Sequence, residues 1–397
     1  MTRRRIAIVA LLALGGIALW LWQSGFAAQA WDAGQLLRWM ADGETSVAIE
    51  RQPQNLVRDS ETGALHMDPA AAPEAVAYPG DLYWPPAANE TSNDDAAGIV
   101  LVPGASPGGK DDVRLVAFAE TLAAAGFVVL VPDLPGLRAQ QVNPSHAGDI
   151  AAAAAYLSDR LDGRPVAIAA ISYAVGPAVL AAIGQNDPTP IALILGIGGY
   201  YDAIATTIFI TTGRIRDSAG AWQHRTPNEF GKWAFIRANL PRIASVVDRD
   251  ALSEIARRKL HDDAAPVDDL VAVLGPEGRA VWQLLSNTDP ERVPALVGTL
   301  PPRVREALEG LDLASFDLSR LPATLLLVHG TDDPILPPEG SVALAAAVPN
   351  SELYLVESLT HVELSLASLG DAWTLYRACW SLIGWRDRLA EADPALP

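Results

Sequence analysis

Between residues 97 and 202 the chain alternates short, wholly apolar runs with stretches whose apolar positions recur every three or four residues. Gly98 to Val102 is an unbroken aliphatic run closed by Pro103-Gly104, and Phe127 to Val131 is closed by Pro132-Asp133. Pro165 to Ile171 and Ile191 to Ile197 have the same character. Runs of this length with no polar alternation predict strands buried on both faces. Val113 to Ala125 carries helical spacing and stops at Gly126, a suitable C-terminal residue. Ile150 to Leu161 predicts a second helix, with Asp149 as its N-cap, and Tyr173 to Ile183 a third. Apolar strands alternating with helices predict a parallel sheet covered on both faces.

From Ala203 to Leu318 strand-like runs largely disappear, and helical segments such as Ala251 to Leu260 and Val304 to Leu311 take over. The sheet rhythm then resumes with Ala323 to Val328, a helix over Glu339 to Ala347, a strand over Glu352 to Val356 and a terminal helix over Leu366 to Ala390. A structureless loop of that size is uncommon, so residues 203–318 are expected to fold as a helical insertion. Upstream, Asp81 to Trp84 predicts an early strand ending at Pro85-Pro86, and residues 31–75 show no sustained period and read as a connecting segment. At the N-terminus Arg3, Arg4 and Arg5 precede an apolar run from Ile6 to Trp22. This is the pattern of an export signal or membrane anchor that leaves the bulk of the protein outside. Trp20 and Trp22 suit an uncleaved anchor, and Ala28-Gln29-Ala30 offers cleavage after Ala30 as the alternative.

Composition narrows the partners. The 397 residues include 47 acidic and 29 basic side chains, for a formal charge of −18. Half the residues are hydrophobic, enough for a large core. The cations are scattered among acids and only three are lysine (Lys110, Lys232, Lys259), so nucleic acid is not an expected partner. The single cysteine, Cys379, lies in an apolar stretch and reads as a core residue.

Candidate chemistry centres on Ser172, at the junction of an apolar strand and a helix in Ala170-Ile171-Ser172-Tyr173-Ala174. A nucleophile elbow needs small residues two before and two after the serine, because the turn brings helix and strand together. Alanine stands at both places where glycine is usual, and the same short pattern also occurs at ordinary strand ends. After the predicted strand at 323–328 comes Val328-His329-Gly330-Thr331-Asp332-Asp333-Pro334. Asp333, three residues past the glycine and followed by proline, is favoured over Asp332 as a carboxylate that orients an imidazole. His329, before the glycine, reads as structural. The next strand leads to His361, and the order serine, aspartate, histidine is an acyl-transfer order.

On these motifs, residues 97–202 and 319–390 resemble an α/β-hydrolase. Val102-Pro103-Gly104 and Val131-Pro132-Asp133-Leu134-Pro135-Gly136 resemble the dienelactone hydrolase and prolyl-peptidase-like branch. The resemblance implies an α/β fold with a doubly wound, mostly parallel sheet. Its core would span 76–202 and 319–390 and its helical cap 203–318, joined through the connecting segment 31–75 to the membrane or signal segment read above over residues 1–30. It also implies Ser172 as nucleophile, His361 as general base and then acid, and Asp333 as the orienting carboxylate. The oxyanion donors would be the Tyr173 N–H and one from Ala105 or Ser106; Pro107 has no N–H to give.

Several other patterns compete for attention. Gly104 to Lys110 has the spacing of a phosphate loop, but Asp111 stands where a hydroxyl would hold Mg²⁺, and Pro107 removes a cradle amide. Asp133 at a strand end reads as a turn cap. Asn89-Glu90-Thr91 matches a glycosylation acceptor, a pattern frequent by chance. Ile208, Phe209, Trp233, Phe235 and Ile236 form either the core of the insertion or an acyl pocket, the core being favoured. The expectation is an exported, membrane-anchored serine hydrolase acting on a small-molecule ester or acyl substrate, without metal or organic cofactor. A peptidase, or a catalytically silent binding ectodomain, are the rival readings.

Overall fold

The computed structural model describes residues 26–59, 65–68, 76–86, 96–184, 190–217, 219–360, 363–364 and 368–392. The apolar run 6–22 and its arginines, the sequon at Asn89 and the histidine at 361 lie outside the described residues. Among the described residues no helix is long and apolar enough to cross a membrane.

The chain opens with helix α1 (Phe26–Asp42) and strands β1 (Glu50–Arg58), β2 (Leu65–Met67) and β3 (Val76–Trp84). The alternating core follows: β4 (Ala97–Val102), α2 (Val113–Ala124), β5 (Phe127–Pro132), α3 (His146–Arg160), β6 (Val166–Ile171), α4 (Val175–Ile183) and β7 (Ile191–Ile197). Next come α5 (Ala203–Thr212), a small hairpin of β8 (Arg214–Arg216) and β9 (Trp222–His224), α6 (Glu229–Asn239), α7 (Val246–His261), α8 (Pro276–Leu285) and α9 (Pro302–Glu309). The chain returns to the sheet with β10 (Thr324–Gly330), α10 (Pro338–Ala347) and β11 (Ser351–Val356). It ends with a two-residue hairpin of β12 (Leu359–Thr360) and β13 (Glu363–Leu364), and α11 (Leu369–Glu391).

Nine strands form one sheet in the order β11-β10-β7-β6-β4-β5-β3-β1-β2. From β11 to β5 every pairing is parallel; β3, β1 and β2 extend it antiparallel. The parallel strands are apolar throughout because both faces are covered. On β4, Val100 and Val102 pack into one core layer beneath α3 and α4, whereas Ile99 and Leu101 pack into the other with α1, α2 and α11. The chain between β7 and β10 carries a separate apolar cluster that includes Trp233, Leu252, Ile255 and Leu284, with Ile208 and Ile236 packed against it.

Two expectations need correction. Residues 31–75 are more than a connection: they contain most of α1 and the antiparallel strands β1 and β2. The segment shows no sustained period, and the apolar face of α1, including Ala33 and Leu36, is legible only against its partner α11. Asp149 is not the N-cap of α3, which begins three residues earlier. Its carboxylate instead accepts hydrogen bonds from Arg58 (3.1 Å) and the Tyr78 hydroxyl, tying α3 to the antiparallel edge.

Candidate active site

Strand β6 delivers Ser172 at its carboxyl end, and a tight turn over residues 172–174 passes directly into α4. Ser172 has φ +56°, one of three non-glycine residues with positive φ among the described residues. For an L-residue that conformation costs about 1–2 kcal/mol, and such strain concentrates where geometry serves function. Ala170 and Ala174 are fully buried at the flanking small positions. Gly104, in the loop after β4, makes the turn possible from the other side: a Cβ there would sit 3.3 Å from the Ile171 carbonyl oxygen and 3.4 Å from Ser172 Cβ. At Gly176 a Cβ would meet the Tyr200 hydroxyl at 2.1 Å, so the first turn of α4 admits a buried tyrosine only because that position is bare.

Tyr173 points its side chain away from the serine, into the loop before α3. Its hydroxyl accepts the Asn143 N–H (2.8 Å), donates to the Asn143 carbonyl (3.2 Å) and lies 3.3 Å from His146 Nδ1. Burial pushes the Tyr173 phenol well above its ordinary range and the His146 imidazole below its own. Those contacts fix the backbone at 173, the position expected to offer an oxyanion donor. The insertion grips the same loop, since Asn239 accepts the Val142 N–H (3.0 Å) and Arg242 donates to the Val142 carbonyl (2.7 Å).

Asp333 lies in the loop beyond β10 and is buried, while its neighbour Asp332 is exposed. One carboxylate oxygen accepts the N–H groups of Ile335 (2.7 Å) and Leu336 (3.0 Å). The other is 3.3 Å from His329 Nε2. His329 is fully buried, with Nε2 also 2.9 Å from the Leu336 carbonyl and Nδ1 2.7 Å from Ser341 Oγ. Both neighbours of Nε2 are acceptors, so Nε2 carries a proton and donates to them. His329 therefore anchors the aspartate loop. The histidine at 361 falls outside the described residues; the strand leading to it, β12, runs past the end of β10, where a Cβ on Gly330 would collide with the Leu359 carbonyl oxygen at 1.7 Å.

Ser172 lines a cavity of about 940 Å³ together with Ala105, Ser106, Ile335 and Leu359. Asp333 itself is not on its wall, although Ile335, whose amide it holds, is. The insertion contributes Asn228, Gly231 and Ala234, and the Asn228 N–H donates to the Pro334 carbonyl (2.8 Å) beside Asp333. Ile208, Phe209, Trp233 and Ile236 do not line it, and Phe209 and Trp233 are buried. The side chain of Phe235 is outside the described residues. Sequence reasoning missed the residues from α1, α2 and α11 that form the far wall, because no linear spacing links them to Ser172.

The loop with phosphate-loop spacing has its cation committed elsewhere. Lys110 pairs with Asp81 (3.0 Å) and Asp111 (2.8 Å), and Arg51 bonds the same two carboxylates. Asp133 caps that loop by accepting the Lys110 N–H (3.3 Å) and pairs with Arg138 (2.6 Å). Among the described residues no group of three His, Cys, Asp or Glu side chains is placed to hold a metal ion.

No curated protein matches the chain by sequence. Among solved structures, a putative hydrolase from Legionella pneumophila is similar at 13% identity with a TM-score of 0.53, covering 90% of this chain and 94% of that one. Lipase A of Candida antarctica in its closed state matches at 13% identity, 85% and 82% coverage, and a TM-score of 0.48. A meta-cleavage product hydrolase from Pseudomonas fluorescens matches at 15% identity, 77% and 95% coverage, and a TM-score of 0.38. The sequence profile of the alpha/beta hydrolase family matches residues 99–369, more than half of the chain and the whole stretch from β4 to the start of α11. The sheet order, the strand–serine–helix turn and that match agree: the chain belongs to the alpha/beta hydrolase family, and its neighbours are hydrolases.

Proposed function

We propose that the protein is a serine hydrolase that cleaves carboxylic esters through an acyl-enzyme. The observation that carries this reading is the strained backbone of Ser172, held at φ +56° on the wall of a large cavity. In the first half-reaction Ser172 Oγ attacks the ester carbonyl carbon while His361 takes its proton. The tetrahedral oxyanion accepts hydrogen bonds from the Tyr173 N–H and from Ala105 or Ser106. The bond to the alkoxide breaks as His361 returns the proton to the leaving alcohol. Water then repeats the sequence: His361 removes its proton, the serine–acyl bond breaks, and Ser172 recovers the proton. Asp333 keeps the imidazole in the productive tautomer.

Support for Asp333 comes from its burial and from the two amide donors and His329 that immobilise it. A fluorophosphonate probe applied to the full chain tests the assignment. Wild type is expected to label, Ser172→Ala not at all, and His361→Ala far more slowly. Asp333→Asn should lower kcat on esters by a factor on the order of 10³–10⁴. Absence of labelling in folded wild type would remove the catalytic reading and favour a binding ectodomain.

We also infer that residues 6–22 hold the protein at a membrane with its hydrolase portion outside. Helix α1 follows this apolar run in sequence and packs on α11. The two helices leave Trp31 (69%), Trp373 (62%) and Leu369 (92%) exposed to solvent. Trp31 follows the apolar run closely in sequence, and exposed tryptophans suit the headgroup layer.

A further inference from the structure

The cavity that holds Ser172 does not stop beneath the insertion. It continues between the sheet and the helices α2 and α11, where Phe118, Leu195, Leu375, Ala378, Cys379 and Leu382 line it. It reaches the C-terminal end of α1 at Trp39 and Met40. Among the described residues the charged side chains on its wall are Asp42, at that outer end, and Asp112 and Arg114, at the start of α2 beside Ser106. Polar groups gather at the other end, under the insertion: Gln140 and Asn228 line it, and Ser106 Oγ donates to the Asp112 carboxylate (3.4 Å). Core interiors are ordinarily close-packed, so an apolar void of this size reaching a nucleophile is a ligand site rather than a packing defect.

We propose that this passage is the acyl-binding site and that the substrates are esters of long, unbranched fatty acids; the proposal rests on the assignment of Ser172 as nucleophile. The distribution of polarity sets the orientation. The hydrocarbon lies between α2 and α11, where the described lining is apolar apart from the Thr121 hydroxyl. The alcohol portion faces Gln140 and Asn228 and leaves from that side after the first half-reaction, while the acyl chain stays threaded through the apolar passage. Chain-length specificity is thus set by the hydrolase core and its terminal helix. The apolar residues of the insertion pack mainly with one another.

The test is the chain-length profile of the full protein on p-nitrophenyl esters from acetate to palmitate, in wild type and in Cys379→Phe. Burial of each methylene is worth up to ~0.8 kcal/mol, about fourfold in kcat/KM, so laurate should exceed acetate by at least about a hundredfold. Cys379→Phe places a ring in the passage and should cut the laurate-to-acetate ratio by about tenfold or more. A profile that is flat while acetate is turned over, or a ratio unchanged in a folded Cys379→Phe variant, overturns the proposal and leaves the role of Ser172 intact. Should the variant not fold, Leu382→Ala serves instead; it widens the passage and should move the optimum to longer chains, and an unmoved optimum counts against the proposal. If no ester is turned over, the catalytic assignment fails, and cis-parinaric acid decides the passage alone. Saturable fluorescence enhancement displaced by laurate supports an acyl site, and its absence refutes one.

Discussion

Holding a serine at φ +56° is a cost that nothing in the immediate turn offsets except the surrounding fold. Ile171 comes from a fully paired strand, α4 starts immediately afterwards, and Gly104 presses from the neighbouring loop. The strain belongs to the Cβ and not to the hydroxyl, which yields a prediction that separates it from catalysis. Ser172→Ala and Ser172→Gly should both be inactive, yet the glycine variant should be the more stable by about 0.5–1 kcal/mol. The difference is read from urea unfolding midpoints, and an alanine variant of equal or greater stability would show the backbone to be relaxed. Asp333 was singled out in the sequence by its place after Gly330; its burial and the two amides that hold it come from the fold. His329 was read as structural, and its ring anchors the loop; only its partners, Ser341 and the Leu336 carbonyl, needed the folded chain to be identified.

At the level of elements, α1 carries more than its sequence suggests. Gln29 donates to the Trp380 carbonyl (3.1 Å), Tyr376 donates to the Ala30 carbonyl (3.3 Å), and the Phe26 and Trp380 rings lie 4.7 Å apart. The small-residue sequence Ala28-Gln29-Ala30 therefore lies within a helix docked on α11. Deleting residues 1–30 should destabilise the protein by about 2–3 kcal/mol relative to deleting residues 1–25, since it removes two hydrogen bonds and an aromatic contact. Equal denaturation midpoints for the two truncations would show that the first turn of α1 contributes nothing.

For the molecule as a whole, the α1–α11 pair links two proposals. It closes one side of the acyl passage, and it presents Trp31 and Trp373 on the outside. The full chain is expected to remain with the membrane fraction after a high-pH carbonate wash, whereas the chain beginning at residue 26 is released. Release of the full chain would show that the N-terminal run is no anchor.

Local pattern by itself determined the alternation of buried strands and helices, the interruption after β7 and the turn that carries Ser172. Each depends on neighbours within about ten residues: apolar runs that must be covered on both faces, prolines that stop strands, and small residues that let a helix leave a strand abruptly. Tertiary structure decided the rest. Asp149 became a tether for Arg58 and Tyr78 because β1 and β3 bring those side chains to α3. Lys110 became an ion-pair partner of Asp81 because β3 lies beside β5. The passage behind Ser172 is bounded by α1, α2, β7 and α11, elements separated by up to several hundred residues. A void is the space side chains leave between such elements, and no periodicity along a single chain encodes it.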